Sequence, residues 1–353
     1  MDMKDLLEQT IAAGASDLHL LVGKPPTLRL DGSLHPIQDA PVLTPEVLNE
    51  MAYSLLTPEQ KALFTSNREL DFAYAVSNGR FRINFYYQRG EIAAALRLIP
   101  SRIRTVEELG LPTVLYEFTK LRQGLVLVTG PTGHGKSTTL AALINEINKK
   151  RDAHIVTIED PVEYIYPEGR CLVSQREMHL DTHSWELALR AVLREDPDVV
   201  LVGEMRDYET ISAALTVAET GHLVFATLHT NSASQSVDRI VDVFPAHQQG
   251  QIRAQLAGSL EGILSQRILP AIGGGRVPAI ELLLASPAVQ NSIREGKTHL
   301  IDNIIITSGE LGMMTMENSL ASLVRSGRVT MEVAEQFALR PTEFARLMRD
   351  NKI

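Results

Sequence analysis

The run Gly130-Pro131-Thr132-Gly133-His134-Gly135-Lys136-Ser137 has the residue types and spacing of a phosphate-binding loop. An apolar run at 125–129 precedes it, and Ser137 and Thr138 open a helix-forming run, which is the strand–loop–helix context such a loop needs. The glycines let backbone N–H groups turn toward phosphate oxygens at a helix N-terminus, where the dipole favours negative charge. Lys136 is expected to reach the β- and γ-phosphates, and the Ser137 hydroxyl to ligate Mg²⁺. The chemistry expected here is that of a nucleoside triphosphate.

Three further apolar runs, 154–158, 199–202 and 223–228, end in polar groups. In a parallel sheet all such ends lie on one edge. Glu204, after the 199–202 run, is expected to activate water or support Mg²⁺, because phosphoryl chemistry beside a phosphate loop needs a carboxylate. Glu163 is the second candidate for positioning water. Glu159 and Asp160 are expected near the nucleotide, or else capping the following turn. His229 is the expected sensor of the γ-phosphate. His222 lies roughly 23 Å back along the same strand at about 3.3 Å per residue, too far to share that nucleotide; it is structural or acts at a subunit contact. Asn148-Lys149-Lys150-Arg151-Asp152 has the wrong spacing for a guanine reader and reads as a solvated helix end, and Arg190 with Arg194 as a salt-bridged helix face.

The elements that position these groups fall into blocks. Residues 1–100 read as a small α+β unit: a helix, a strand at Ser16–Leu20, a hairpin turned by Asp31-Gly32, a helix begun by Thr57-Pro58-Glu59-Gln60, and strands turned at Asn78-Gly79 and Arg89-Gly90. Residues 101–123 read as a linker with one helix. Residues 124–285 alternate strands and helices, the latter including 185–195 and 208–219, as a mostly parallel α/β sheet does. Residues 286–353 read as helical, with a loose end near 350–353.

The bulk numbers agree with an ordinary globular chain: 353 residues, 44% apolar, 22% charged. No window approaches the apolar length of a membrane span, the N-terminus lacks a signal peptide's apolar core, and a single cysteine, Cys171, excludes an internal disulfide. A cytoplasmic location is expected. The net charge of −9 speaks against a general nucleic-acid binder.

Together these blocks resemble the type IV pilus retraction ATPases (PilT-like), within the secretion ATPase branch of RecA-like motors. The resemblance rests on Ala15-Ser16-Asp17-Leu18-His19-Leu20, Gly79-Arg80-Phe81-Arg82-Ile83-Asn84, the phosphate loop, the acidic box from Thr157 to Glu163, Leu201-Val202-Gly203-Glu204-Met205-Arg206-Asp207, and the box from Gly221 to Thr230. It implies an α/β RecA-like P-loop ATPase domain with a smaller N-terminal α+β PAS-like domain. It implies a homohexamer binding ATP and Mg²⁺ between subunits, with Arg82, Arg97 and Arg102 as candidate arginines acting in trans. The implied partners are an inner-membrane pilus platform protein and a paralogous pilus ATPase, at the cytoplasmic side of the pilus base. Lacking the extra N-terminal domain and four-cysteine module of extension and secretion relatives, the chain is expected to be of the retraction type. Gln290 stands where the retraction motif carries a basic residue, Ser292 where it carries an apolar one, and His134 where the loop commonly carries Ser. The expected function is an ATP-driven motor that withdraws pilin subunits. Alternatives are a pilus extension or type II secretion ATPase, an accessory retraction paralogue, a nucleic-acid translocase, and an assembly protein that binds ATP without hydrolysing it.

Overall fold

The computed structural model describes residues 2–30, 32–77, 79–99 and 102–349, so the turn residues Asp31 and Asn78 and the expected loose end at 350–353 lie outside it. The chain divides into two compact units, Met1–Arg102 with Asp160–Ile165, and Ile103–Glu159 with Tyr166–Ile353.

The first unit is an antiparallel sheet with helices. Its strands are β1 (Asp17–Leu21), β2 (Thr27–Leu30), β3 (Ser33–Pro36), β4 (Glu69–Val76), β5 (Gly79–Gln88) and β6 (Glu91–Ile99), ordered β3-β2-β1-β6-β5-β4. Alternation along the strands separates two faces. Leu18, Leu20, Phe81, Ile83, Phe85, Ala94 and Leu96 bury against α1 (Met3–Ala12), α2 (Pro45–Ser54) and α3 (Pro58–Asn67). The alternate positions put Arg29, Asp17, Arg97 and Arg82 in one row across β2, β1, β6 and β5. The Thr57–Gln60 capping box expected from the sequence starts α3.

In the second unit, α4 (Tyr116–Lys120) leads to β7 (Gly124–Thr129), the phosphate loop and α5 (Lys136–Lys150). Then follow β8 (His154–Glu159), β9 (Leu172–Glu177), α6 (Trp185–Val192), β10 (Val199–Val202), α7 (Tyr208–Glu219) and β11 (Leu223–Leu228). After α8 (Ala233–Asp242) and α9 (Ala246–Ser259) come β12 (Leu260–Pro270) and β13 (Arg276–Leu284). The seven strands are ordered β13-β12-β7-β11-β10-β8-β9, parallel except for β13. The strands expected from the apolar runs are all present, and β9, β12 and β13 are additions. The β12–β13 hairpin escapes a period-2 search because strands buried on both faces do not alternate; its legible signal is Gly273-Gly274-Gly275 between two apolar runs. Helix α6 ends at Val192 rather than near 195, and Asp196 takes a left-handed φ of 52° before Pro197. The expected linker is not separate from Ile103 on: Val106, Leu111, Leu115 and Phe118 are buried, and a Cβ on Gly262 of β12 would stand 2.4 Å from the Phe118 ring.

The remaining helices are α10 (Pro287–Arg294), α11 (Ile301–Thr307), α12 (Met316–Arg325), α13 (Met331–Phe337) and α14 (Pro341–Arg349). Besides apolar packing such as Leu269, Val277 and Ala279 against Met316, Leu320 and Phe344, they share one arginine with the sheet. Arg340 contacts Glu281 of β13 at 3.1 Å, Glu317 of α12 at 3.2 Å, and Asp302 and Glu343 at 3.5 Å each. Glu281 and Glu317 are fully buried, and Glu281 Oε1 also accepts the Ala233 N–H that opens α8, at 2.8 Å. Burial raises the Glu281 carboxyl to about 7, with Asp302 and Glu317 adding to the effect against the Ala233 N–H and Arg340.

Two outcomes follow from this hub. Arg340→Ala strands buried carboxylates without their cation and is expected to cost about 3–5 kcal/mol in urea unfolding; a loss under about 1 kcal/mol would contradict the hub's role. A carboxyl whose folded pKa is raised binds its proton more tightly in the native state, so its contribution to stability declines as pH rises from the ordinary carboxyl range through about 7 and is level above that. Wild-type protein should therefore lose melting temperature relative to Glu281→Gln between pH 5 and 8; a constant difference would refute this.

Candidate nucleotide-hydrolysis site

The loop between β7 and α5 is shaped by what stands behind it. Gly130 has φ 138°, and a Cβ there would lie 2.3 Å from the Gln266 carbonyl oxygen of β12. Gly133 and Gly135 both have φ 80°, and a Cβ on Gly135 would meet the Gln266 amide nitrogen at 2.8 Å. Only glycine fits such positions. Gln266, which sequence reasoning missed, is buried; its Nε2 donates to the His134 carbonyl at 2.9 Å and its Oε1 accepts from Thr139 Oγ1 at 2.8 Å. Below the loop, Thr129 and Ser265 join hydroxyls at 2.9 Å. Lys136 Nζ donates to the Gly130 and Pro131 carbonyls at 2.8 and 3.1 Å. Ser137 and Thr138 stand in the first turn of α5, where backbone N–H groups have no partner within the helix.

Parallel register brings the next groups to this edge. Thr129 of β7 is paired with Leu228 of β11, and Ala226 of β11 with Val202 of β10, so His229 and Glu204 leave their strands beside the loop. His229 Nε2 lies 2.9 Å from Glu204 Oε1, and its Nδ1 lies 3.4 Å from Thr132 Oγ1 in the loop. Arg206, also unforeseen, reaches the same carboxylate oxygen at 2.7 Å. Burial pushes the Glu204 carboxyl up, but Arg206, His229 and Lys136 outweigh it and hold it below its ordinary range. Burial, then Lys136, hold the His229 ring low although Glu204 pulls the other way. At neutral pH the pair is a carboxylate and a neutral imidazole, which donates from Nε2 to the carboxylate. Gly203 leaves little room before Glu204: a Cβ there would lie 3.2 Å from both the Glu159 Cα and the Ile158 carbonyl oxygen.

The acidic box is divided. Glu159 ends β8 buried in the second unit, where its Oε1 accepts from Thr157 Oγ1 at 2.7 Å and Gln175 Nε2 at 3.3 Å. Asp160 and Glu163 belong to the first unit. There Arg82 grips Asp71, with Nη2 2.6 Å from Oδ2, and reaches Glu163 at 3.5 Å. Its neighbour Arg97 pairs with Asp17 at 2.9 Å while staying largely exposed, and Arg29, a third cation of the row, lies 3.6 Å from Asp17. Arg102 is exposed.

Other expected residues take structural places. His222 Nδ1 sits 3.1 Å from the Val217 carbonyl and 3.2 Å from Thr220 Oγ1 at the end of α7. Arg190 pairs with Glu186 at 2.7 Å. Asn148 corrects the reading of a solvated helix end: it is fully buried, donating to the Pro167 carbonyl at 2.8 Å and accepting from the Cys171 N–H at 3.3 Å. Ser292 is buried and donates to the Ala288 carbonyl at 2.9 Å, which satisfies a hydroxyl where an apolar side chain was expected.

Among the described residues no group of three or more His, Cys, Asp and Glu is placed to hold a metal. Mg²⁺ does not need one, because it takes one or two protein oxygens beside phosphate and water oxygens. Ser137 and Glu204 supply hard oxygens of that kind, so the residues fit. No helix among the described residues is long and apolar enough to cross a membrane.

Comparison with known proteins gives the same direction. A family model described as type II/IV secretion system protein matches residues 2–334. The chain is 46% identical over 345 residues to the type IV pilus retractation ATPase PilT of Pseudomonas aeruginosa, spanning 98% of this chain and 100% of that one. It is 47% identical over 315 residues to a twitching motility protein of Neisseria gonorrhoeae, spanning 89% and 84%. A crystal structure of the pilus retraction motor PilT with bound ADP has a TM-score of 0.91 at 47% identity, covering 98% of this chain and 99% of that one. With its glycine loop backed by β12, and with matches along nearly its full length, this chain belongs to the type II/IV secretion system protein family.

Proposed function

We propose that the chain hydrolyses ATP with Mg²⁺ and, as a homohexameric ring on the cytoplasmic side of the inner membrane, powers type IV pilus retraction. The first unit is read as PAS-like and the second as RecA-like. The observation that carries the enzymatic reading is Glu204: an ionised carboxylate at the strand end beside the phosphate loop, held by a neutral His229 that also touches Thr132. The retraction output rests on the near full-length likeness to PilT.

Each residue has a part in that reading. Backbone N–H groups from Gly130 to Thr138 cradle phosphate oxygens. Lys136 leaves the loop carbonyls for the phosphates, which offer it full negative charges in place of dipoles. Mg²⁺, when bound, neutralises charge on the β- and γ-phosphates. Glu204 orients the attacking water and takes its proton, while His229 fixes the carboxylate and senses the γ-phosphate. Glu163 supports the water, and Glu159 and Asp160 border the nucleotide. Arg82 and Arg97 act from a neighbouring subunit, Arg82 by exchanging Asp71 and Glu163 for the γ-phosphate. The ring docks on the pilus platform protein and works beside a paralogous pilus ATPase.

Lys136→Ala should lose both ATP binding and turnover. Glu204→Gln should bind ATP normally while phosphate release falls by about 10²–10⁴-fold; full turnover in that variant refutes its role. Mixing inactive Glu204→Gln and Arg82→Ala proteins should restore part of the activity, since mixed rings contain sites with both groups intact. No recovery would place Arg82 outside the trans site. Cells lacking the chain should carry excess, non-retracting pili; absent pili would favour extension, and strong stimulation of ATPase activity by single-stranded DNA would favour a translocase.

A further inference from the structure

His134 is the residue of the loop whose side chain faces away from the expected nucleotide chemistry. Its Nδ1 accepts the backbone N–H of Ile268 at 2.8 Å, while its own carbonyl accepts from Gln266 Nε2 at 2.9 Å. The reason lies in the sheet. The β7–β12 pairing ends at Thr129 opposite Ser265, yet β12 runs on to Pro270. Past that point the flank of β12 has no strand beside it among the described residues, and a half-buried N–H there needs an acceptor. The imidazole of His134 supplies it, in place of the missing strand.

The contact does two further things. It assigns the ring's proton to Nε2, since Nδ1 is occupied as acceptor. It also brings the ring to the end of α13, 6.5 Å from the Phe337 ring, whose residue's carbonyl accepts from Arg267 Nη1 at 3.1 Å. The apex of the loop is thereby tied to β12 and set against a helix of the C-terminal layer.

We propose that His134 is a positioning residue that holds the phosphate loop in its nucleotide-ready shape by anchoring it to β12, and that protonation of its ring releases the anchor. This rests on the reading of Gly130–Ser137 as a phosphate loop. A loop already in its bound shape spends less binding energy on ordering. The doubly protonated ring has no acceptor at Nδ1. The charged groups facing it are Arg267 of β12 and Lys136 of α5, both cations; burial and these two hold the ring's titration below its ordinary range. The anchor is therefore intact at neutral pH and is lost as pH falls through that lowered value.

The test is binding of ADP to the full chain between pH 5 and 8 for wild type, His134→Asn and His134→Leu. Asn offers its Oδ1 close to where Nδ1 stands and does not titrate; Leu fills the space with no acceptor. At pH 8, His134→Asn should bind within about twofold of wild type, and His134→Leu about tenfold more weakly, the scale of one lost buried hydrogen bond. On acidification wild type should lose affinity relative to His134→Asn. Protonation of ADP and of His229 is common to both proteins and cancels in that ratio, which stays readable should the Leu variant fail to fold. If wild type binds ADP and both the affinities and the pH profiles of the two variants match it, the anchor has no such role. If wild type does not bind ADP at all, the phosphate-loop reading itself is wrong.

Discussion

The Gln266 carbonyl of β12 stands 2.3 Å from where a Cβ on Gly130 would be, and the organisation of the second unit depends on that close approach. A side chain at Gly130 would push the loop off the strand that shapes it. With glycine there, the Gln266 side chain spans the gap, holding the His134 carbonyl on one side and Thr139 of α5 on the other. The loop is thus fixed along its far side by a strand that itself carries no catalytic group. Its near side is left to backbone N–H groups, Lys136 and the edge of the parallel sheet.

Along that edge, charges are balanced in small sets. Glu204 is attended by His229, Arg206 and Lys136, which keep it ionised despite burial. Because the ring of His229 stays neutral, it orients the carboxylate without cancelling it. In the first unit the row of Arg29, Asp17, Arg97 and Arg82 has three cations and one anion, with Asp71 and Glu163 gripping Arg82 from outside it. The pairs of Arg82 with Asp71 and Glu163 are partly exposed, where an ion pair is worth little. Exchange of such partners for a phosphate is therefore inexpensive.

The far end of the second unit is tied to the site by buried charge rather than by apolar packing alone. Glu281 of β13 accepts the N–H of Ala233, which opens α8 soon after His229 leaves β11. The same carboxylate is held by Arg340, which also gathers Glu317, Asp302 and Glu343 from the C-terminal helices. Removing a well-packed cation from such a cluster costs more than the pairs contribute, because the carboxylates remain buried. Through β13 and β12 this cluster and the phosphate loop share one piece of sheet.

What the sequence determined by itself was the part that depends on local geometry. The phosphate loop, the Thr57 cap and the apolar runs ending at Glu159, Glu204 and His229 are readable because glycine torsions, caps and strand ends are set by near neighbours. So is the family, whose blocks recur in order. Tertiary structure decided what distant segments do to one another. Gln266 joined the site because β12 lies beside the loop in space, which no spacing along the chain announces, whereas Arg206 reaches Glu204 from only two residues away. The β12–β13 hairpin hid because strands buried on both faces lose their alternation. Asn148 turned inward because the Pro167 carbonyl and the Cys171 N–H come to it across a fold. The division of the acidic box, with Glu159 in one unit and Asp160 and Glu163 in the other, has the same origin: a chain carries its neighbours in order, but packing assigns them to cores.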